Sequence, residues 1–191
     1  MSRYLIVVAV FGLVAFCAAF QVVVVPTCSM ERTVLVGDHL LVNRLSYRFQ
    51  RLQRGEVISF RAPGKKGAIF LKRVVALGGD QVDIHAGEVF VNGARVSEPY
   101  VEHVGGSSEQ VQLSVVVPGG EMFVLGDNRD RSDDSRSFGT VPEQNVVGKP
   151  VMVLWSLAIP TERWLGPGQA ALYFDHPFAR LRWSRMFRVV Q

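Results

Sequence analysis

Cysteine is scarce in this chain of 191 residues: only Cys17 and Cys28 occur. Cys17 lies inside an apolar run and Cys28 just beyond it, which argues against a disulfide framework, and no CxxC or Cys/His spacing suggests zinc. Charge of one sign is also scarce. The 21 lysines and arginines exceed the 17 aspartates and glutamates by +4, and they form no basic stripe, so nucleic acid is a poor candidate for a partner. There is no repeat of fixed period and no low-complexity tract. A calcium loop is missing too. The acidic stretch GDNRDRSDDSRSFG, residues 126–139, puts Arg129 and Arg131 at the alternate positions where oxygen ligands would be needed. No metal and no cofactor are expected.

One long apolar run is present: YLIVVAVFGLVAFCAAFQVVVV, residues 4–25, in which Gln21 is the single strongly polar member. As a helix it would extend about 33 Å, against a hydrocarbon core of about 30 Å, so one transmembrane anchor is expected. A cleaved secretory signal is the rival, because small residues occur at 15–19, but the valines continue past any such site. Bulky Phe16 weakens a lipoprotein reading of Cys17. Orientation stays open. Only Arg3 precedes the run, whereas Arg32, Arg44, Arg48 and Arg51 follow it, so the positive-inside rule does not favour an outward domain.

Beyond Pro26, short stretches with period-two alternation (HLLVNRL, EVISFRA, AIFLKRVVAL, QVDIHAGEVFVNG, VQLSVVV, EMFVLGD and PVMVLWS) are separated by glycine and proline breaks. The fold class expected is mainly β. Asn92-Gly93, centred in 89–96, predicts a type I′ hairpin. The expected organisation is a short tail at 1–3, an anchor at 4–25, an antiparallel β domain over 26–80 and 122–160, and a small inserted β subdomain over 81–121. A basic aromatic tail over 161–191 follows. It either covers the domain rim or lies at a lipid headgroup layer, to which Trp183, Met186 and Phe187 among Arg180, Arg182, Arg185 and Arg188 are suited.

A serine nucleophile needs a base within reach. None of His39, His85, His103 and His176 sits in a triad motif. The other candidate is Lys72, in IFLKRVV, which alternation places on one face with Phe70 and Val74 while Leu71, Arg73 and Val75 take the other. Apolar neighbours disfavour a charged amine, and a neutral amine can accept a proton from serine. A strand lysine more often projects from an edge into water, so on this pattern alone catalysis is the less favoured reading. The acidic stretch by itself reads as a charged turn in which Asp127, Asp130, Asp134, Arg129 and Arg136 pair and cap one another.

Taken together and in order, four segments resemble the type I signal peptidase family: PTCSMERTVLVGDHLLVNRLSY, RGEVISFRAP, FLKRVVALGGDQVDI with GEVFVNG, and FVLGDNRDRSDDSRSFGTVPEQNVVGK. The resemblance implies a membrane-anchored serine endopeptidase that removes N-terminal signal peptides after small residues of the Ala-x-Ala type. It implies Ser29 as nucleophile and Lys72 as general base, with the Thr27 hydroxyl helping the Ser29 amide hold the oxyanion. Ser132 would orient the lysine amine, Asp134 and Arg136 would form a supporting ion pair, and Met30 and Val34 would line the substrate pocket. Secreted preproteins, the lipid bilayer and the translocation machinery are the partners implied. The resemblance also places the catalytic domain on the periplasmic or extracellular side of a single-pass inner (plasma) membrane protein.

Three positions depart from the family pattern: Arg32 replaces a proline, Cys28 a small residue, and Gly78 a proline. Cys28 is a rival nucleophile in principle. A Ser-Lys peptidase dedicated to pilins, conjugation or organelle import, and a catalytically silent scaffold of the same fold, are the alternatives. A self-cleaving repressor would share the dyad but should be soluble and carry a helical DNA-binding domain.

Overall fold

The long apolar run folds as two elements, helix α1 (Ser2–Ala19) and strand β1 (Phe20–Val24). A computed structural model describes residues 2–65, 67–101, 110–158 and 180–190. The helix stops where the sequence becomes β-branched, since valines lose side-chain freedom in a helix and pack well on a pleated surface. The strand pairs antiparallel with β2 (Asp38–Asn43), Val22 opposite Leu41, and the Arg44 amide donates to the Ala19 carbonyl at 2.8 Å, holding the foot of the helix to the sheet. This corrects the expectation of one continuous helix over 4–25. The observed helix of 18 residues is about 27 Å long, and among the described residues no helix is long and apolar enough to cross a membrane.

The remaining strands are β3 (Val57–Arg61), β4 (Ile69–Leu77), β5 (Gln81–His85), β6 (Glu88–Val91), β7 (Ala94–Arg95), β8 (Leu113–Val116), β9 (Glu121–Leu125), β10 (Val141–Pro142), β11 (Val146–Ala158) and β12 (Arg180–Leu181). Short helices α2 (Ser46–Phe49) and α3 (Ser135–Phe138) interrupt them. Eight strands form an antiparallel sheet in the order β1-β2-β11-β3-β4-β9-β10, with β12 on β11, and a second sheet runs β7-β6-β5-β8. The fold is mainly antiparallel β. At the β6–β7 turn Asn92 and Gly93 have φ of 54° and 78°, the two positive values a type I′ hairpin requires.

Strand β4 is buried along most of its length. Leu71 joins a core with Met30, Val34, Leu40 and Val153, while Val74 joins another with Ile58, Phe60 and Val124. A strand covered on both sides is where a lysine loses its water. The second sheet has its own apolar core, in which Val82, Ile84, Val89 and Val91 meet Phe123 and Leu125 of the main sheet.

Of the C-terminal segment expected over 161–191, residues 161–179 lie outside the described residues, as do His103 and His176. The segment 180–190 is described, and its strand β12 joins the main sheet on β11. Val190 is buried in the core with Met30 and Val34, and the Arg185 guanidinium clasps buried Asp38, with Nη2 donating to Oδ2 at 2.6 Å.

Candidate active site

The nucleophile candidate sits in a turn that the core holds from below. After β1, the Glu31 amide donates to the Cys28 carbonyl at 3.0 Å and the Val34 amide to the Met30 carbonyl at 2.9 Å, closing a compact turn around Ser29. Met30 and Val34, expected to line a substrate pocket, are only 1 % and 0 % exposed. Both pack in the core beneath the turn with Leu40, Leu71 and Val153.

Residues 43 apart in sequence meet at this turn: Lys72 Nζ donates to Ser29 Oγ at 2.6 Å, and both groups are buried. The Thr27 hydroxyl lies 3.2 Å from the same serine oxygen. Cys28 is buried, and the contact of Lys72 is with Ser29. The lysine is 3 % exposed and its amine is 5.5 Å from the centre of the Phe70 ring. Its pKa is lowered from the ordinary 10.5 to about 8, chiefly because burial strips water from the ammonium; the carboxylates of Asp134 and Asp133 pull it partly back up. At neutral pH a usable fraction of this amine is therefore uncharged. In that form the contact reverses, and the serine hydroxyl can donate to nitrogen.

The acidic stretch wraps the turn from the other side. The Asn128 amide donates to the Ser29 carbonyl at 3.1 Å. Gly126 is forced by close approach: a Cβ there would lie 2.1 Å from Ser132 Oγ and 2.6 Å from the Ser29 carbonyl oxygen. The buried Ser132 hydroxyl has no hydrogen-bond partner, so the contact with Lys72 that the resemblance implies is not made in this arrangement. Arg136 grips fully buried Asp134 through Nε to Oδ1 at 2.8 Å and Nη2 to Oδ2 at 2.9 Å, and the Gly126 amide donates to Asp134 at 3.0 Å. The pair thereby fixes the loop that carries Ser132.

Sequence reasoning missed the partner of Asp127. Arg73, next to Lys72 on β4 and facing the opposite way, donates to both Asp127 oxygens at 2.9 and 2.7 Å and to the Gly55 carbonyl at 2.7 Å. Thr33, in the nucleophile turn, bonds the same carboxylate, and the Tyr100 ring stacks 3.8 Å from the guanidinium. The available signal was alternation, which set Arg73 opposite Lys72 without saying what it would meet. Arg129 was read as pairing within the charged turn, but it is buried and pairs instead with Glu98. Arg32 has φ of 82°, a value closed to proline, and its guanidinium donates to the Val101 carbonyl at 2.9 Å. The departure from the family's proline thus comes with a different local backbone and a tie to the segment after β7. His39 stacks on Trp155, with ring centres 4.6 Å apart.

A buried serine hydroxyl thus stands against a buried lysine amine on an antiparallel β scaffold. Residues 1–155 match the family model "Signal peptidase, peptidase S26". The chain is 37% identical to signal peptidase I V of Bacillus subtilis (strain 168) over 63% of this chain and 77% of that one. It is 31% identical to signal peptidase I of Aquifex aeolicus (strain VF5) over 83% of this chain and 84% of the other. A solved signal peptidase I from Enterococcus faecalis V583 aligns at a TM-score of 0.47 with 32% identity, covering 52% of this chain and 97% of that one. The chain belongs to the signal peptidase family, peptidase S26.

Proposed function

We propose that this member of the signal peptidase family removes signal peptides from preproteins by a Ser29–Lys72 acyl-enzyme mechanism. Neutral Lys72 takes the Ser29 proton as Oγ attacks the scissile carbonyl. The tetrahedral oxyanion is held by the Ser29 amide and the Thr27 hydroxyl; a single donor of this kind is typically worth about 2.7–4 kcal/mol. Lys72 then gives its proton to the leaving amine, and a water deprotonated by the same lysine releases the signal peptide from Ser29. Ser132, buried against Gly126 without a partner, accepts from the ammonium once Lys72 carries the proton. The observation that carries this reading is the buried contact of 2.6 Å between Lys72 Nζ and Ser29 Oγ.

Cleavage falls after small residues of the Ala-x-Ala type, with substrates delivered by the translocation machinery. The site works at a membrane, with the β domain on the periplasmic or extracellular side. Two features support the lipid contact. Tyr4, Val7, Val8, Phe11 and Val14 of α1 are all exposed, which suits a helix surrounded by lipid. Val22, Val24, Trp155, Trp183, Phe187 and Val189 are exposed on β1, β11 and the C-terminal segment, and Met152 of β11 bridges Val189. A β domain interrupted by an inserted cap over 81–121 is retained as part of this proposal, with β1 and β12 added to the main sheet beyond the expected bounds of 26–80 and 122–160.

The test is cleavage of a preprotein with an Ala-x-Ala site by the detergent-solubilised full chain, with the new N-terminus sequenced. Cleavage by wild type after the small residue and none by Ser29→Ala is expected. Equal cleavage by both proteins sinks the mechanism.

A further inference from the structure

Charge is handled in opposite ways at the two ends of this molecule. Arg73, Arg129, Arg136 and Arg185 are each paired with a carboxylate. At the foot of α1, Arg44, Arg48 and Arg61 line one open cleft of about 380 Å³ with Ala18 and Tyr47. Among the described residues none of these three guanidinium groups has an ion pair, although Glu143 borders the same cleft. Three cations around one carboxylate leave a local formal charge of about +2, which favours an anion. Planar guanidinium forks match phosphate oxygens bidentately. Phe49, one residue past Arg48 on α2, is 84 % exposed, so an apolar ring stands beside the cations. Tyr47 contributes to the cleft but is already committed, its hydroxyl donating to Glu56 at 3.2 Å.

We propose that this cleft binds the phosphodiester headgroup of an anionic phospholipid. The inference rests on the reading that α1 lies in lipid, because the cleft opens where that helix leaves the sheet, the depth at which headgroups would stand. Guanidinium groups would hold the phosphate while Phe49 enters the acyl boundary. Arg44 and Arg48 are among the arginines that left the side of the domain undecided under the positive-inside rule; a headgroup site gives them a use on whichever side the domain lies.

The test uses the full chain in neutral detergent, with binding of dihexanoyl phosphatidylglycerol, dihexanoyl phosphatidylcholine and inorganic phosphate measured by calorimetry. The anionic lipid is expected to bind at least about tenfold more tightly than the zwitterionic one. Each cleft arginine changed to Gln should weaken it about fivefold, and Arg44→Gln/Arg48→Gln/Arg61→Gln together about a hundredfold. Glu143→Gln should tighten it about fivefold, a gain that a misfolded variant could not mimic. Preprotein cleavage in detergent should be unchanged in these variants. Equal binding of the two lipids, an unchanged triple variant, or inorganic phosphate binding as tightly as the anionic lipid would each overturn the assignment. Co-sedimentation with vesicles of phosphatidylcholine alone separates the two readings. Wild type and triple variant should both be retained through α1; if neither is, the membrane reading fails, and with it the headgroup site.

Discussion

The two sheets bury very different things. In the four-stranded sheet the interior is Val82, Ile84, Val89 and Val91, and ionisable pairs such as Arg95–Glu88 stay at the surface. At the β4–β9 edge of the main sheet the interior holds Lys72, Arg73, Asp127 and Asp134 together with Ser29. Burying an ion costs several kcal/mol unless a partner offsets it, so charges gather inside only where something requires them there. Arg73, Asp127, Asp134 and Arg136 find partners. Among the described residues Lys72 has no ion pair; it meets the Ser29 oxygen and the Phe70 ring, and its pKa is lowered. Lys72 thus stands apart within a neighbourhood of paired charges, and the proposed mechanism makes it the base.

The largest effects should fall on that group. Ser29→Ala or Lys72→Met should reduce single-turnover cleavage by more than about 10⁴-fold. Yet Lys72→Met should melt higher than wild type at pH 7. A folded-state pKa of about 8 against 10.5 means the buried ammonium opposes folding by about 3 kcal/mol at pH 7, and this cost fades as pH rises from 8 towards 10.5. A variant that loses both activity and melting temperature would break the contrast between reactive and structural charge. Next, Asp127→Asn should cost about 3–5 kcal/mol in a urea titration, because Arg73 is left buried without its counter-charge. Within the second sheet, Ile84→Ala should lose about 2–5 kcal/mol of stability while kcat of the folded fraction is unchanged. A fall in kcat there would show that the two regions are not energetically separate. The pH profile is a subtler probe. With neutral Lys72 as base, kcat/KM should rise about tenfold between pH 7 and pH 9 and then level, and a flat profile would remove the lysine from the chemistry. The smallest effect belongs to Arg95→Ala, whose exposed pair with Glu88 should shift stability by less than about 0.5 kcal/mol.

Much of this was legible locally. Alternation identified β4 and put Lys72 with Phe70 and Val74, and Asn92-Gly93 announced its hairpin, because turn chemistry and strand period act within a few residues. The long apolar run was misjudged at its C-terminal end. Hydropathy measures only how oily Val22–Val24 is; pairing with β2 decides that it is a strand. Met30 and Val34 are ambiguous for a similar reason, since an apolar side chain beside a nucleophile reads equally well as pocket lining or as core.

The β character, the oily N-terminus and a serine and a lysine in the right motifs can all be read along the chain. Each of those is a property of short segments. It takes the folded chain to bring Lys72 to Ser29, to set Arg73 rather than a neighbour in the turn against Asp127, and to return Arg185 across 147 residues to Asp38. Periodicity fixes which face a side chain takes, but the partner waiting on that face comes from a distant strand, and only burial in its company changes the charge a group can carry.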